Sequence, residues 1–399
     1  MILLTEYQQR RERILKSLDG AAAVVFAGEG SGSSWKPHAH FVYLTGIRNE
    51  TGASVLFDPS ADDLKRQCVL FLRPVDPEAQ RWDGCRDVIG AELKMRLGFR
   101  VVARTNYLPQ AITGAARRTK RLACLHSFAV YPAEVSPDLA VFRKVAERVT
   151  GVAIEDRSQL LPQMRAVKSS SELATMREAV AATVAGYKAA LKMIRPGVTE
   201  SAIEQTLERT YQTHGGTGLP YDSIVGAGLN GTILHYNQNT AVTKAGDLIV
   251  IDSAAEVDGY AADVTRTVPV SGKFTKEQRE MYELVLRAQR AAIKVVRPGV
   301  KMCEVDAAAR DIVEKAGRGD AFIHGIGHQL GLEVHDATPD GRLKPGMVIT
   351  IEPGVYFPDR KFGIRIEDDI LITRHGNEVL TAAIPKTVQA VETALMAAC

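Results

Sequence analysis

The spacing of apolar and polar positions divides the chain into two regions. Over the first 150 residues, short β-rich runs at Ala22–Ala27, Ala53–Phe57, Cys68–Leu72 and Arg121–Leu125, each bounded by Gly, Asp or Pro, predict strands. Glu6–Leu18, Gly90–Gly98 and Pro137–Val149 carry helical spacing between them. The mixture predicts a compact α/β domain. Further on, Met176, Val180, Val184, Tyr187 and Leu191 form one face of a long amphipathic helix. Its start is marked by Ser169 and Glu172 at capping-box spacing. A boundary is expected between Arg157 and Ser171, giving domains of residues 1–160 and 161–399 and an α+β chain overall.

The second region repeats itself. Ile194-Arg-Pro-Gly-Val198 returns as Val296-Arg-Pro-Gly-Val300, 102 residues on (194 to 296). Each copy ends one helical run and precedes another, Glu200–Gln212 in the first case and Glu304–Lys315 in the second. Gly246-Asp-Leu-Ile-Val-Ile-Asp252 returns as Gly346-Met-Val-Ile-Thr-Ile-Glu352, and His235 as His335, both 100 residues on (252 to 352, 235 to 335). Three matches in one order at nearly one offset point to a duplicated αβ half. A pseudo-two-fold between the halves would bring the matching carboxylates to one centre.

Composition narrows the class without naming a chemistry. Of 399 residues, 45% are hydrophobic and 24% charged, as in globular proteins. The formal net charge is only +3, from 50 basic and 47 acidic residues, which gives no reason to expect a nucleic-acid or membrane partner. Five scattered cysteines (Cys68, Cys85, Cys124, Cys303, Cys399) form no CxxC pair, so neither a disulfide framework nor a thiolate zinc site is expected. The N-terminus lacks the apolar stretch of a secretory signal, and no apolar run approaches a membrane span; a cytoplasmic location is the expectation.

The chemistry gathers around acids at strand ends. Leu248-Ile-Val-Ile251 reads as a buried strand that delivers Asp252. After a Gly-containing turn (Glu256–Gly259), Asp263, Thr265 and Thr267 alternate onto one face, so a hairpin would set Asp252 beside Asp263. Two carboxylates beside an apolar core repel one another and lose solvation, and a cation compensates best. In the second half Glu352 ends Met347-Val-Ile-Thr-Ile, and Gly363-Ile-Arg-Ile-Glu367 supplies another acid. Singly, each has a plainer reading: Asp252 as a turn acid, Glu367 as the partner of Arg365. Together with a histidine, four carboxylates offset the charge of two divalent ions. Such a mostly oxygen set suits Mn²⁺ or Co²⁺, admits Zn²⁺ and disfavours copper. In His324-Gly-Ile-Gly-His328 the glycines cost a helix about 1 kcal/mol each, so an irregular segment is expected.

These residues resemble the pita-bread family of metallopeptidases, which includes methionine aminopeptidase, aminopeptidase P and prolidase. The stretches that carry the resemblance are Ile251–Thr267, His324–His335, Ile351–Tyr356 and Gly363–Asp369, within a match that runs from about residue 165 to the C-terminus. It implies a duplicated catalytic domain that cleaves peptide bonds with two metal ions. Asp252 would hold one ion, His328 and Glu352 the other, with Asp263 and Glu367 bridging and a shared hydroxide as nucleophile. Glu352 would accept the proton of the attacking water, His335 would stabilise the oxyanion or donate a proton, and His235 would position the substrate amide. Tyr221, His324, Tyr356 and Arg365 match positions lining the proline-side pocket. Ala254 departs from the family, which usually has glycine there.

The first domain narrows the branch. Phe41-Val-Tyr-Leu-Thr-Gly46, Phe71–Glu78 and Trp82 resemble the N-terminal domain of the creatinase, prolidase and aminopeptidase P group. That implies small peptide substrates with proline second, a tertiary amide of restricted geometry. A homodimer is expected from the family. Short connections before His324 and between Tyr356 and Gly363 resemble prolidases, so an Xaa-Pro dipeptidase is the first expectation. Aminopeptidase P is the alternative and a non-catalytic pita-bread binding module a remote one. Against the dipeptidase, Pro339 stands where prolidases carry an arginine for the substrate carboxylate, leaving Arg48, Arg81 or Arg342 to serve.

Overall fold

The computed structural model describes residues 2–32, 35–84 and 86–396. The chain falls into two units, one of Ile2–Arg165 and one running on from Ala166.

In the first unit, α1 (Leu4–Ser17) turns Ile14 inward and is followed by β1 (Ala23–Phe26), α2 (Ala39–Thr45), β2 (Ser54–Phe57) and β3 (Cys68–Leu72). Then come α3 (Ala79–Asp83), α4 (Ala91–Leu97), β4 (Val101–Arg104), α5 (Leu108–Thr119), β5 (Arg121–Cys124), α6 (Pro137–Ala146), β6 (Ala153–Asp156) and α7 (Leu160–Ala166). The strands β1, β2 and β3 run antiparallel, β4 joins β3 in parallel, and β5 pairs in parallel with β6. A parallel bridge from Ala22 to Leu122 brings β5 against β1. The sequence pattern anticipates the four expected strands and three expected helices to within a few residues, but not α2, α3, β4, α5, β6 or α7. β4 has only four residues, and α5 is apolar mainly through alanine, with Pro109 in its first turn and Gly114 inside it. Packing of Ile112, Ala115 and Ala116 against Val24, Leu56 and Phe71 decides that α5 is a helix.

The second unit opens with α8 (Ser170–Leu191). Its capping box forms as expected, with Ser169 Oγ accepting from Glu172 N (3.2 Å) and Glu172 Oε2 from Ser169 N (2.8 Å). After α9 (Glu200–Thr213) come β7 (Ile224–Ala227), β8 (Leu248–Asp252), β9 (Glu256–Val257), β10 (Tyr260–Ala261) and β11 (Thr265–Pro269). The plan then repeats, with α10 (Lys276–Val295), α11 (Met302–Lys315), β12 (Val348–Ile351), β13 (Gly354–Phe357), β14 (Phe362–Arg365), β15 (Asp368–Ile372), β16 (Asn377–Val379) and α12 (Val388–Met396). Each half thus sets a helix pair before an antiparallel sheet, β11-β8-β7 in one and β12-β15-β16 in the other. β8 and β12 are buried on both faces, as their unbroken aliphatic runs require.

The register places the acids. Thr265, two residues after Asp263, lies opposite Asp252; Asp368, the residue after Glu367, lies opposite Ile351. The halves meet where Glu367 N donates to Thr265 O (3.1 Å) and Arg365 N to Thr267 Oγ1 (3.0 Å). Arg266 is buried at this seam, paired with Asp368 Oδ1 at 2.7 Å and donating to the carbonyls of Pro385 and Ile384. Cys68, Cys124 and Cys303 are free thiols, whereas Cys85 and Cys399 lie outside the described residues. Among the described residues no helix is long and apolar enough to cross a membrane.

Candidate metal centre

A cavity of about 480 Å³ opens where the two sheets converge, lined by Asp252, Asp263, Glu352 and Glu367 together with His328. Asp252 arrives on the end of β8, Asp263 between β10 and β11, Glu352 after β12 and Glu367 between β14 and β15. His328 lies in an irregular segment, as its flanking glycines predict. A Cβ on Gly327 would stand 2.1 Å from Thr350 O, so only glycine lets this segment lie against β12.

Distances tie the group together. His328 Nε2 is 3.4 Å from Asp263 Oδ2 and 3.5 Å from Glu352 Oε1. Its other nitrogen, Nδ1, faces Gln329 O at 3.0 Å, which leaves Nε2 turned to the acids. Ligand atoms of Asp263, His328 and Glu367 all lie within 4.8 Å of one another. Thr265 Oγ1 donates to Glu367 Oε2 (2.7 Å), and Asp369 Oδ2 accepts from Asp263 N (3.3 Å). Arg365 pairs with Asp252 Oδ2 at 2.6 Å; the plainer expectation of an Arg365–Glu367 pair is not what the side chains form.

Electrostatics show what the group lacks. Burial, then the charges of Asp263, Glu352 and Asp252, drive the Glu367 carboxyl well above the usual range. Burial lifts Glu352 to about 7 and raises Asp252 despite Arg365. Burial would lower His328, but its hydrogen bond to Asp263 and the charges of Asp263 and Glu352 push it up to about 9. The acids thus draw the nearest available proton into their midst. Tyr221 adds a second sign: its one hydroxyl lies 2.7 Å from Asp252 Oδ1 and 2.6 Å from Asp263 Oδ1, so one proton faces two carboxylate oxygens. A set of four carboxylates and one imidazole, with Asp252, Asp263 and Glu367 buried and Glu352 and His328 partly so, is short of positive charge and fits divalent ions that prefer oxygen ligands.

The remaining candidates lie around this centre. His235 and His335 line the cavity, and the His335 ring stands nearly perpendicular to that of His328, 4.2 Å between centroids. Tyr356 OH links His324 Nε2 (2.9 Å) and Arg365 Nη1 (2.9 Å). Burial lowers His324 to about 4, so its neutral ring donates from Nδ1 to Gly325 O and accepts at Nε2. Arg342 donates to Gly299 O and pairs with Glu304, and it does not line the cavity. Thr350 and Asp369 were missed from sequence, and Thr265, placed there on the face of Asp263, was given no role. Thr350 Oγ1 accepts from His328 N (3.1 Å), and a lone polar residue inside Ile349-Thr350-Ile351 was the available signal.

Comparison with known proteins agrees with this geometry. Residues 174–374 match the metallopeptidase family M24 and residues 7–123 the aminopeptidase P N-terminal domain. The chain is 34% identical to the Xaa-Pro aminopeptidase of Escherichia coli over 98% of each sequence. It superposes on zinc-substituted E. coli aminopeptidase P in complex with product with a TM-score of 0.88, at 30% identity over 100% of this chain and 99% of that one. The Xaa-Pro dipeptidase of Pyrococcus furiosus is 36% identical, but over 56% of this chain and 65% of its own length. Full-length likeness therefore favours the aminopeptidase alternative over the dipeptidase expected first.

Proposed function

The chain belongs to metallopeptidase family M24, and from that premise we propose that it is a metallo-exopeptidase releasing the residue before proline from Xaa-Pro-Yaa peptides. The observation that carries this reading is the convergence of Asp252, Asp263, Glu352, Glu367 and His328 on one cavity in which a single Tyr221 proton faces two acids. Pro339, in place of a carboxylate-binding arginine, and Arg342, engaged elsewhere, favour a substrate that continues beyond proline.

In this proposal Asp252, Asp263, His328, Glu352 and Glu367 would hold the two ions, Asp252 on the side of one and His328 with Glu352 on the side of the other, with Asp263 and Glu367 between them. When bound, the ions supply a nucleophile at neutral pH by lowering the pKa of water, and polarise the scissile carbonyl. Glu352 takes the proton released from water at its carboxylate. His335, on the cavity wall, stabilises the developing oxyanion or returns a proton to the leaving nitrogen. His235 holds the substrate amide, while Tyr221, His324, Tyr356 and Arg365 shape the proline side. Manganese as the working metal, with cobalt or zinc as substitutes, a homodimeric state and a cytoplasmic location complete the proposal on the strength of the family likeness.

The test is a comparison of substrates. Protein stripped with a chelator and reloaded with Mn²⁺ is expected to cleave an Xaa-Pro-Yaa tripeptide faster than the corresponding Xaa-Pro dipeptide. Faster turnover of the dipeptide would restore the dipeptidase reading. No metal-dependent cleavage of either would leave the binding module.

A further inference from the structure

His235 and His335 share a local design that their proposed roles do not explain. Both are exposed, both lie on segments outside any strand or helix, and each is followed by a buried polar residue, Tyr236 (7% exposed) and Asp336 (5%). An irregular segment lacks the hydrogen-bond ladder of a helix or strand, so whatever anchors the neighbouring residue also restrains the backbone that carries the histidine.

The first anchor is a carboxylate. Tyr236 OH donates to Glu200 Oε2 at 2.9 Å and accepts from Asn230 Nδ2 at 2.9 Å. Glu200 is fully buried in the first turn of α9. It also accepts from Ala227 N (2.7 Å), Asn230 Nδ2 (3.0 Å) and Ala241 N (2.8 Å). One side chain therefore ties both ends of the segment that carries His235, its charge met by four donors and the helix N-terminus.

The second anchor is an ion pair. Lys168 Nζ lies 3.2 Å from Asp336 Oδ2, and each side chain is 1% exposed. Asp336 N donates to Gln329 O (2.9 Å) and Lys168 N to Gly346 O (2.9 Å), so the pair is fixed through backbone on both sides. A Cβ on Gly331 would stand 2.2 Å from Asp336 Oδ2 and 3.0 Å from Lys168 Cε. Burying such a pair contributes little net stability compared with apolar residues of the same volume, whereas it does specify one geometry.

We propose that Tyr236–Glu200 and Asp336–Lys168 are positioning pairs, one for each histidine of the duplicated halves, that set the directions of His235 and His335 across the cavity. Displacement of about 1 Å in a reacting group costs on the order of a hundredfold in rate, so removing an anchor is costly even with the histidine intact. This rests on the proposed roles of the two histidines.

The test uses the near-isosteric variants Tyr236→Phe and Asp336→Asn in the full chain, assayed below each variant's thermal midpoint and normalised to bound metal. kcat/KM on an Xaa-Pro-Yaa peptide is expected to fall about tenfold to a hundredfold. Tyr236→Phe should add almost nothing in a His235→Ala background, and Asp336→Asn almost nothing with His335→Ala, because each pair acts through one group. In metal-free protein, the imidazole carbon resonance of His235 should move in Tyr236→Phe and that of His335 in Asp336→Asn. Additive effects, or unmoved imidazole resonances, overturn the proposal. If His235→Ala and His335→Ala keep full activity, the roles assigned to the histidines fail, and the resonances alone still decide the positioning. Should Asp336→Asn not fold, the Tyr236 arm decides, with Glu200→Gln as its second variant.

Discussion

Arg365 Nη2 lies 2.6 Å from Asp252 Oδ2, so a cation from the second half of the catalytic unit neutralises an acid from the first. The same guanidinium donates to Thr265 Oγ1 (3.0 Å) and Tyr356 OH (2.9 Å), joining the acid cluster to the cavity wall at Tyr356 and His324. Its planar fork spreads donors over three nitrogens, one for each partner, whereas the three N–H groups of a lysine radiate from a single atom.

Arg365→Met should therefore destabilise metal-free protein strongly, by about 3–5 kcal/mol, because Asp252 is left buried without its partner. With Mn²⁺ bound the loss should be smaller, since the ion supplies the missing charge. Urea unfolding with and without metal measures both, and equal losses in the two states would refute the idea.

Tyr221→Phe removes the one proton facing Asp252 Oδ1 and Asp263 Oδ1. Hydrogen bonds to charged groups contribute about 1.5–3 kcal/mol, and a loss of that order is expected in the metal-free state. Differential scanning calorimetry of the metal-free variant is the check. An unchanged midpoint would mean that the hydroxyl is not stabilising the acids.

Glu367→Gln should act with the opposite sign. The carboxyl sits well above its usual range because it is buried beside other acids, so removing its charge relieves the metal-free protein, while the amide oxygen can still accept from Thr265 Oγ1. The metal-free thermal midpoint should rise, and both the Mn²⁺-induced rise and the activity should be lost. A metal-free midpoint below wild type would contradict this account.

His324 sets a pH dependence. Burial lowers its pKa from 6.5 to about 4, so between those values the unfolded chain carries a proton that the native protein lacks. Stability from this group is present above pH 6.5 and is lost as the pH falls towards 4. In metal-free protein the unfolding free energy of His324→Gln should depend less steeply on pH across that window than wild type. Parallel curves would exclude the neutral buried ring.

The elements most legible in the sequence were those whose formation is local. Ser169 and Glu172 mark the start of α8 because a capping box needs only four consecutive residues. β8 and β12 are legible because burial on both faces demands an unbroken aliphatic run. α5 was not legible: alanines, Pro109 and Gly114 leave its pattern weak, and the packing of Ile112 and Ala115 decides it.

The centre shows the same division. Asp252 and Glu352 stand out because each ends such a run at equivalent places of a repeat, and the match of residues 174–374 to one peptidase family follows those same stretches. Which side chains pair was not readable. Arg365 is two residues from Glu367 in the chain, yet it reaches Asp252, and Tyr221 places its hydroxyl between two acids 31 and 42 residues away. The sequence by itself determined which donor atoms exist and at which strand ends they emerge, because strand formation and chain order are properties of short segments. Only the tertiary structure decided which acid meets which cation, and that Tyr236 and Asp336, beside His235 and His335, are buried against Glu200 and Lys168, because those distances depend on how separate segments pack.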